Sequence, residues 1–343
     1  MKYHQEQDAE NLKKLDEIKS ELPSFCARFF LGLAQTTSPL TRLAYAGDLK
    51  LFFEFLSDKI AVFAGKSLRD FVTANLEQIE ILHIELFLDF VSRYERDGQI
   101  IRNGDRAKHR KLSCLRSFFA YLFDKDEISK NVLPKIKLPK IYDKPIVRLE
   151  GDEANRVLET IGDQDVLTKG QLRFRDKTEQ RDYTLIFFFL ATGVRVSELI
   201  GLDIGHIDLK KRSFKVTRKG GSQEILYMSD ELYLVLEDYL EKNCSASLNT
   251  PLFKSIQGNR LCVRQARNIV KKYASIAVPL KNITPHKLRS TFGTNLYRET
   301  GDIYAVADVL GHKDVNTTKK HYAAISEDTR REMAKRTRVI KDE

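Results

Sequence analysis

Apolar residues recur at helical spacing through much of the N-terminal third of the chain. Ser38 and Pro39 predict a helix start, because serine can cap a helix and proline suits the first helical position. An apolar stripe follows at 49–56, and stripes of the same period predict helices over 76–94 and 105–123. This part of the chain is therefore predicted to be small and helical.

The helical pattern breaks at residues 125–148. Proline prevents regular helix and lysine keeps a segment solvated, so this stretch is predicted to be a basic linker. The helical domain then occupies 37–124, residues 1–36 form an N-terminal extension, and 149–343 form a C-terminal domain with its tail. The prolines in the linker are Pro134, Pro139 and Pro145.

The C-terminal domain combines helices with one pair of strands. Alternation over 213–219 and 223–229, on either side of Gly220-Gly221, predicts a β-hairpin. The fold class is therefore mainly α with a small β-sheet: an N-terminal helical domain followed by a mixed α/β domain. Helices are predicted over 152–161, 181–192, 230–241, 263–275, 285–298, 302–310 and 317–323.

Composition excludes several classes of protein. The chain of 343 residues is 42% hydrophobic, enough for real cores. It contains no apolar run near the roughly 20 residues that cross a bilayer, and its start lacks an apolar leader, which predicts a cytoplasmic location. The cysteines form no CxxC pair, so neither a disulfide framework nor a metal site is expected. They are Cys26, Cys114, Cys244 and Cys262.

Positive charge is concentrated in the middle of the chain. The net charge is +10, and residues 101–150 hold 13 Lys and Arg against 6 Asp and Glu. Such a concentration favours a polyanion such as DNA, although charge alone is equally compatible with a solvated surface. Five basic side chains around the helix over 105–123 are predicted to point outward together and to contact DNA phosphates. They are Arg106, Lys108, Arg110, Lys111 and Arg116.

Two local patterns in the C-terminal domain suit an anion. Gly193 breaks an apolar helix, and Arg195 is predicted in the first turn of the next one, beside free N–H groups. Pro285 predicts another helix start, where His286 and Arg289 share one face at the positive end of the helix dipole. A phosphate would compensate this charge. Each pattern, taken alone, also has a simpler explanation. The first is explained by an ordinary surface arginine, and the second by a solvated helix end.

Several motifs of the chain together resemble the tyrosine recombinase (phage-integrase) family, in particular its Xer-like bacterial branch. The resemblance covers about residues 25–335. SPLTRLAYAGDLKLFFEFL and HRKLSCLRSFFAYL resemble the family's core-binding domain, which has a SAM-like helical fold, and add Thr41 and Arg42 to the predicted DNA contacts. The motifs, in order, are Arg195 in TGVRVSEL, Lys219 at the RKGG hairpin, HKLR at 286–289, LGH at 310–312 and Tyr322.

The resemblance implies a site-specific recombinase that cuts and rejoins double-stranded DNA. Tyr322 would become joined to the DNA 3′ phosphate, and strands would be exchanged between two sites. No cofactor or metal is expected. The implied partners are double-stranded target sites and three further copies of the chain, forming a homotetramer on synapsed DNA, alone or with a second recombinase or an accessory factor; no membrane is involved.

The resemblance also assigns roles to the other motif residues. Arg195 and Arg289 would hold the non-bridging phosphate oxygens, to one of which His312 would donate. His286 is implied as the general base, and Lys219 as the acid for the departing 5′ oxygen. Glu198 also matches an acidic position of the family and is expected to support the site.

One spacing departs from the family. The LGH histidine and the tyrosine usually stand nine residues apart, whereas His312 and Tyr322 are ten apart. One extra residue within the final helix would turn Tyr322 by about 100°. We expect the turn at 314–316 to absorb it. Tyr304 is the alternative nucleophile, but it precedes the LGH motif.

Three functions remain compatible with the motifs. A relaxing enzyme of the type IB topoisomerase kind uses the same chemistry without exchanging strands. A DNA-binding accessory protein could keep the fold with a misplaced tyrosine. For a recombinase, the sequence leaves open whether the reaction resolves chromosome dimers or moves an integrative element.

Overall fold

The computed structural model describes residues 2–137, 141, 146–218, 220–243, 247–311 and 314–316. The chain divides into two compact units, Met1–Lys144 and Pro145–Glu343. The fold class predicted from the sequence, mainly α with small antiparallel sheets, is confirmed. Among the described residues, no helix is both long and apolar enough to cross a membrane.

The first unit is helical apart from one short hairpin. Its core is rich in phenylalanine, and several of the rings meet edge to face, as in Phe52–Phe87 with centroids 5.1 Å apart. Its elements are α1 (Lys2–Lys19), α2 (Cys26–Leu33), α3 (Pro39–Lys59), α4 (Thr73–Glu77), α5 (Ile81–Phe90), β1 (Arg93–Arg96), β2 (Gln99–Arg102) and α6 (Asp105–Asp124).

Both ends of this unit differ from the predicted boundaries. Residues 1–36 are not a separate extension, because Leu15 of α1 and Phe29 of α2 are buried in the same core as α3 and α6. The predicted linker over 125–148 begins too early. Leu133 and Ile136 are buried in this core, since a short 3₁₀ turn folds the chain back onto it.

The helix predicted over 76–94 is also wrong in part. The chain forms α4 and α5 and then turns into the β1–β2 hairpin. Asp97 and Gly98 take positive φ angles of 50° and 71°, which suit a tight two-residue turn between antiparallel strands. Periodicity missed this turn because the strands are only four residues long.

The second unit contains the remaining helices and a three-stranded antiparallel sheet of order β3-β4-β5. The predicted hairpin is confirmed, with Phe214 of β4 opposite Leu226 of β5. Its elements are α7 (Glu153–Gly162), α8 (Lys169–Leu172), α9 (Arg175–Thr192), α10 (Val196–Ile200), β3 (Ile207–Asp208), β4 (Ser213–Thr217), β5 (Gln223–Tyr227), α11 (Asp230–Asn243), α12 (Val263–Ala277), α13 (Pro285–Thr300) and α14 (Ile303–Leu310).

The packing of α9 brings several chain ends together. This helix contacts α7, α11 and α13, and Phe188 on α9 meets Phe214 of β4 edge to face with centroids 4.9 Å apart. Helix α13 in turn packs against α14. Helices α9 and α14 end at Gly193 and Gly311, both left-handed, as helix C-termini favour. The ends of α9 and α14 therefore lie next to the start of α13.

Candidate active site

Three consecutive carbonyls at the end of α14 each accept a hydrogen bond from a different arginine. The last carbonyls of a helix lack partners within it and carry a partial negative charge, so cations stabilise this end. Leu310 and Gly311, the first two residues of the LGH motif, thus lie in a cluster of guanidinium groups. The pairs are Arg218 Nη2 with Val309 O at 3.1 Å, Arg289 Nη2 with Leu310 O, and Arg195 Nη2 with Gly311 O at 3.0 Å.

Arg195 is fixed by the buried carboxylate of Glu198. The two carboxylate oxygens accept from Arg195 Nη1 at 2.7 Å and from its backbone N–H at 2.8 Å. Arg195 immediately precedes the five-residue α10 rather than lying in its first turn, and its own N–H is not free, because it donates to Glu198. The side chain of Arg195 is 34% exposed and reaches the surface.

Arg289 is the fifth residue of α13 and is 4% exposed. Its Nη1 donates to the Gly193 carbonyl at 2.7 Å and its Nη2 to the Leu310 carbonyl. The guanidinium therefore ties the end of α9 to the end of α14. Gly193 has a φ of 61°, and a methyl group there would lie 2.9 Å from Leu310 Cδ2, so both backbone angle and close packing require glycine.

His286 occupies the first turn of α13, three residues before Arg289, and is exposed. The helix starts as predicted, with Thr284 before it and Pro285 as its first residue. The N-terminal end of a helix carries partial positive charge. His286 faces solvent at this end, whereas Arg289 is buried against backbone carbonyls.

Lys219, His312 and Tyr322 lie outside the described residues. Lys219 follows Arg218, whose backbone N–H and carbonyl close a tight turn by bonding to Ser222 at 2.8 Å and Gly221 at 3.0 Å.

The turn at 314–316 was predicted to absorb the extra residue before Tyr322. Asp314 Oδ1 accepts from the backbone N–H of Asn316 at 2.9 Å, the geometry of a capping aspartate at a helix start. The final helix, predicted over 317–323, lies outside the described residues. The position of the extra residue therefore stays a prediction.

The alternative nucleophile, Tyr304, lies away from the arginine cluster. It is 71% exposed in the first turn of α14, whereas the arginines bind the last carbonyls of that helix. Tyr304 lies six positions before Leu310, about 9 Å along the helix axis. This placement disfavours Tyr304.

The predicted basic edge of the first unit is only partly exposed. Arg106 and Arg110 on α6 are exposed and Lys108 is half-buried. Lys111, however, is 6% exposed, and its Nζ lies 2.9 Å from Asp48 Oδ1. The expectation that all five side chains point outward is therefore wrong for Lys111, because a buried carboxylate on α3 holds its ammonium inside.

Of the other predicted DNA contacts of this unit, Arg116 and Thr41 make internal bonds. Arg116 is half-buried and donates to the Ile136 carbonyl. Thr41 Oγ1 lies 3.0 Å from Ser38 Oγ at the start of α3. Arg42 is half-buried, and its Nε has no hydrogen-bond partner within the part of the chain that the structure describes.

Sequence reasoning missed two pairs of charged residues. Arg93 and Arg102 stand opposite each other on the β1–β2 hairpin, both exposed; the Asp-Gly turn between them was the available signal. Arg218 is buried and bound to Glu224 across the β4–β5 hairpin. The sequence signal for this pair was weaker, because Glu224 lies opposite Val216 and only diagonally across from Arg218.

Comparison with known proteins gives the same family as the motifs. Residues 148–328 match the model of the phage integrase family. A protein named tyrosine recombinase XerC of Thermodesulfovibrio yellowstonii is 31% identical, over 84% of this chain and 87% of the relative. Another of that name, from Pelobacter propionicus, is 28% identical over 86% and 88%.

Solved structures share the fold. The XerH site-specific recombinase bound to its difH substrate is 22% identical, with a TM-score of 0.61 over 84% of this chain and 77% of that one. The Tn1549 transposon integrase in complex with transposon right-end DNA is 17% identical, with a TM-score of 0.65 over 89% and 98%. At these identities the likeness is one of fold alone.

Proposed function

The chain belongs to the phage integrase family and is a Xer-like tyrosine recombinase, an enzyme of site-specific DNA recombination, and on that premise we propose that its reaction centre lies at the C-terminal end of α14. The observation that carries this proposal is the convergence of Arg195 and Arg289 on the carbonyls directly before His312. Tyr322, ten residues further along, is the proposed nucleophile.

The arginines meet the first requirement of the chemistry. A phosphodiester is anionic and repels an oxygen nucleophile, so its charge must be neutralised and the attacking group held in line. Arg195 and Arg289 are assigned to the non-bridging oxygens, because a guanidinium stays charged and offers a fixed fork of donors. Glu198 orients Arg195, and His312 is assigned as a further donor to a non-bridging oxygen.

Two proton transfers complete the step. Tyrosine has an ordinary pKa of about 10, so a base must take its proton as it attacks. His286, exposed at the start of α13, is assigned this role, and it returns the proton in the reverse step. The ammonium of Lys219 protonates the departing 5′ oxygen.

The product is a phosphodiester between Tyr322 and the DNA 3′ end. Because this bond keeps the energy of the original one, the 5′ hydroxyl of a partner strand can attack it and release the tyrosine. Exchange between two duplexes then needs no ATP. We assign a homotetramer on two synapsed sites, with the C-terminal tail, about residues 325–343 and outside the described part of the chain, docking on a neighbouring copy.

DNA affinity is assigned chiefly to the first unit. Arg106, Lys108 and Arg110 lie on the first turns of α6 with at least partial exposure, as phosphate contacts require. Thr41, Arg42 and Arg116 are kept as further proposed contacts. Lys111 is not, because its ammonium is buried against Asp48, whereas Arg110, which also bonds to Asp48, stays nearly half exposed.

A duplex nicked just beyond the scissile phosphate tests the proposal. Cleavage of such a duplex releases a short fragment that diffuses away, so the covalent adduct accumulates and migrates as a larger species in a denaturing gel. An adduct on Tyr322, located by peptide mapping, is the expected result. A protein that binds the duplex but forms no adduct is an accessory DNA-binding protein instead.

Plasmids that carry two target sites separate recombination from relaxation. A recombinase converts them into deleted or inverted products, whereas a relaxing enzyme of the topoisomerase kind only removes supercoils from them. Recombinant products are the expected result. Relaxation without recombinants would contradict strand exchange.

A further inference from the structure

Arg218 is a buried guanidinium that joins three elements of the second unit. It follows β4 directly and is 8% exposed. Its Nε and Nη2 donate to the two carboxylate oxygens of Glu224 on β5, at 2.7 Å and 3.1 Å. Its Nη1 donates to Glu198 Oε2 at 3.1 Å, and its Nη2 also to the Val309 carbonyl at 3.1 Å. Four of its five N–H donors are thus used internally.

The charges around Arg218 are balanced. Burial lowers the pKa of the guanidinium, but the hydrogen bonds and opposite charges of Glu224 and Glu198 outweigh burial, so the pKa is raised and the group stays charged. Glu198 also holds Arg195, so two arginines face two carboxylates. The paired contact with Glu224 fixes the orientation of the guanidinium as well as its position.

The backbone next to this guanidinium leaves room for it only because residue 311 is glycine. Gly311 has a φ of 62°, and a methyl group there would lie 2.9 Å from Arg218 Cζ. The peptide that leads into His312 therefore packs directly on Arg218. On the other side, Arg218 N–H and carbonyl close the turn that contains Lys219. Arg218 thus contacts the segment before His312 through its side chain, and it closes the turn from residue 218 to 222 through its backbone.

We propose that Arg218 is a positioning residue of the recombination reaction: it fixes the β4–β5 turn to Glu198 and to the end of α14, and so fixes where Lys219 delivers its proton. The inference rests on the proposed function. As the bond from Tyr322 Oη to phosphorus forms and the bond to the 5′ oxygen breaks, the proton passes from the Lys219 ammonium to that oxygen. Because four of its five N–H donors are already used internally, Arg218 is assigned no contact with the phosphate.

A leaving group that needs no proton isolates this effect. In a nicked duplex whose scissile phosphate carries a 5′-bridging sulfur, the departing group is a thiol with an ordinary pKa of about 8.5, far below the pKa of an alcohol. The sulfur leaves as a thiolate, so misplacement of Lys219 has little consequence. The bonds formed and broken at phosphorus are otherwise the same in both duplexes.

The experiment compares single-turnover cleavage of the two duplexes by the full-length protein. General acid catalysis contributes about 10²–10⁴-fold, so we expect Arg218→Met to slow cleavage of the oxygen duplex at least about tenfold and of the sulfur duplex less than about threefold. Lys219→Ala should give the same pattern with a larger loss. The double variant should be no slower than Lys219→Ala, because both substitutions affect one proton transfer.

Controls separate positioning from folding. Arg156→Met removes a surface arginine of α7 that pairs only with Asp152 among the described residues, and should leave both rates unchanged. If Arg218→Met does not fold, as thermal unfolding would reveal, Arg218→Lys and Glu224→Gln take its place. The lysine keeps the charge without the fork of donors, and should slow only the oxygen duplex.

Two results would overturn the inference. Equal losses on both duplexes would mean that Arg218 acts through Arg195 or the general fold, and no loss on either would mean that it does not position the turn. The proposed function fails differently: the unaltered protein would then form no tyrosine adduct with either duplex.

Discussion

The ammonium of Lys111 lies 2.9 Å from the carboxylate of Asp48, with both side chains buried between α6 and α3 of the first unit. Arg110, the preceding residue, donates from Nη2 to the same carboxylate oxygen at 2.8 Å while its side chain stays nearly half exposed. Adjacent basic residues of one helix therefore have different environments: one belongs to the core and one to the surface.

Substitutions at Lys111 and Arg106 should separate these environments. Arg106→Ala should weaken binding similarly on target and unrelated DNA, and should reduce the log–log salt slope by roughly 1, since one phosphate contact is lost. Lys111→Met should leave that slope unchanged and lower the free energy of unfolding by about 1.5–3 kcal/mol, as expected for removing a hydrogen bond to a buried charge. Binding across a salt series and urea unfolding measure the two effects.

Lys108→Met is the matched control for Lys111, because it is the same substitution on a neighbouring, half-buried position. It should behave like Arg106→Ala. A reduced salt slope for Lys111→Met would show that its ammonium leaves Asp48 on DNA binding and would restore Lys111 to the interface.

Tyr322→Phe should bind the target with near-normal affinity and form no covalent adduct. The substitution removes one hydroxyl, the proposed nucleophile, and leaves the basic contacts intact. Gel-shift binding and a denaturing gel of the nicked duplex check the two halves of the prediction. Adduct formation by this variant would transfer the nucleophile to another residue, with Tyr304→Phe the next substitution to examine.

Arg195→Ala should lower the cleavage rate by at least about 10²-fold with little change in binding, the usual effect of losing one transition-state donor. Arg289→Lys should lose as much, because a point charge cannot reproduce the fork that spans the Gly193 and Leu310 carbonyls. Lysine is preferred to alanine there, since alanine would leave buried carbonyls without these donors. Normal cleavage by either variant would show that its arginine is not needed for the reaction.

Gly193→Ala should destabilise the second unit. A left-handed residue with a side chain costs about 1–2 kcal/mol, and the added methyl would also press on Leu310 at 2.9 Å. The cleavage rate should fall with stability, because Arg289 binds the Gly193 carbonyl. Thermal unfolding is the measurement, and Gly170→Ala, at a position where a methyl group meets nothing within 4 Å, is the control. Equal unfolding temperatures for the two variants would contradict the prediction.

The Arg218–Glu224 contact predicts a pH dependence of stability. The hydrogen bond from Arg218 is the largest cause that lowers the pKa of Glu224 below its ordinary value. A lowered carboxyl pKa stabilises the fold above the unfolded pKa of about 4.3, and this contribution is lost as pH falls through the folded value. The stability advantage of the unaltered protein over Glu224→Gln should therefore shrink below about pH 4.3. Urea unfolding at several pH values tests this, and a constant difference would argue against the contact.

The sequence predicted elements where the period was long or the breaking residues were distinctive. The start of α13 at Pro285 and the ends of α9 and α14 at their glycines were predicted, because proline and left-handed glycine act on the backbone locally. The β1–β2 hairpin was missed, since four-residue strands give periodicity too few positions. The packing of α1 and α2 on the first core, through residues such as Leu15 and Phe29, was missed too, because no local pattern shows which surface a helix will cover.

By itself, the sequence determined the family and the proposed catalytic residues, because their identities and order along the chain are a local, covalent property. Tertiary structure decided what those side chains bind. Whether a lysine such as Lys111 faces solvent or a carboxylate depends on the helix packed against it, here through Asp48, sixty-three positions away. Arg218 became a candidate positioning residue only when β4, β5, α10 and α14 met, since burial and hydrogen bonding are set by neighbours distant in the chain.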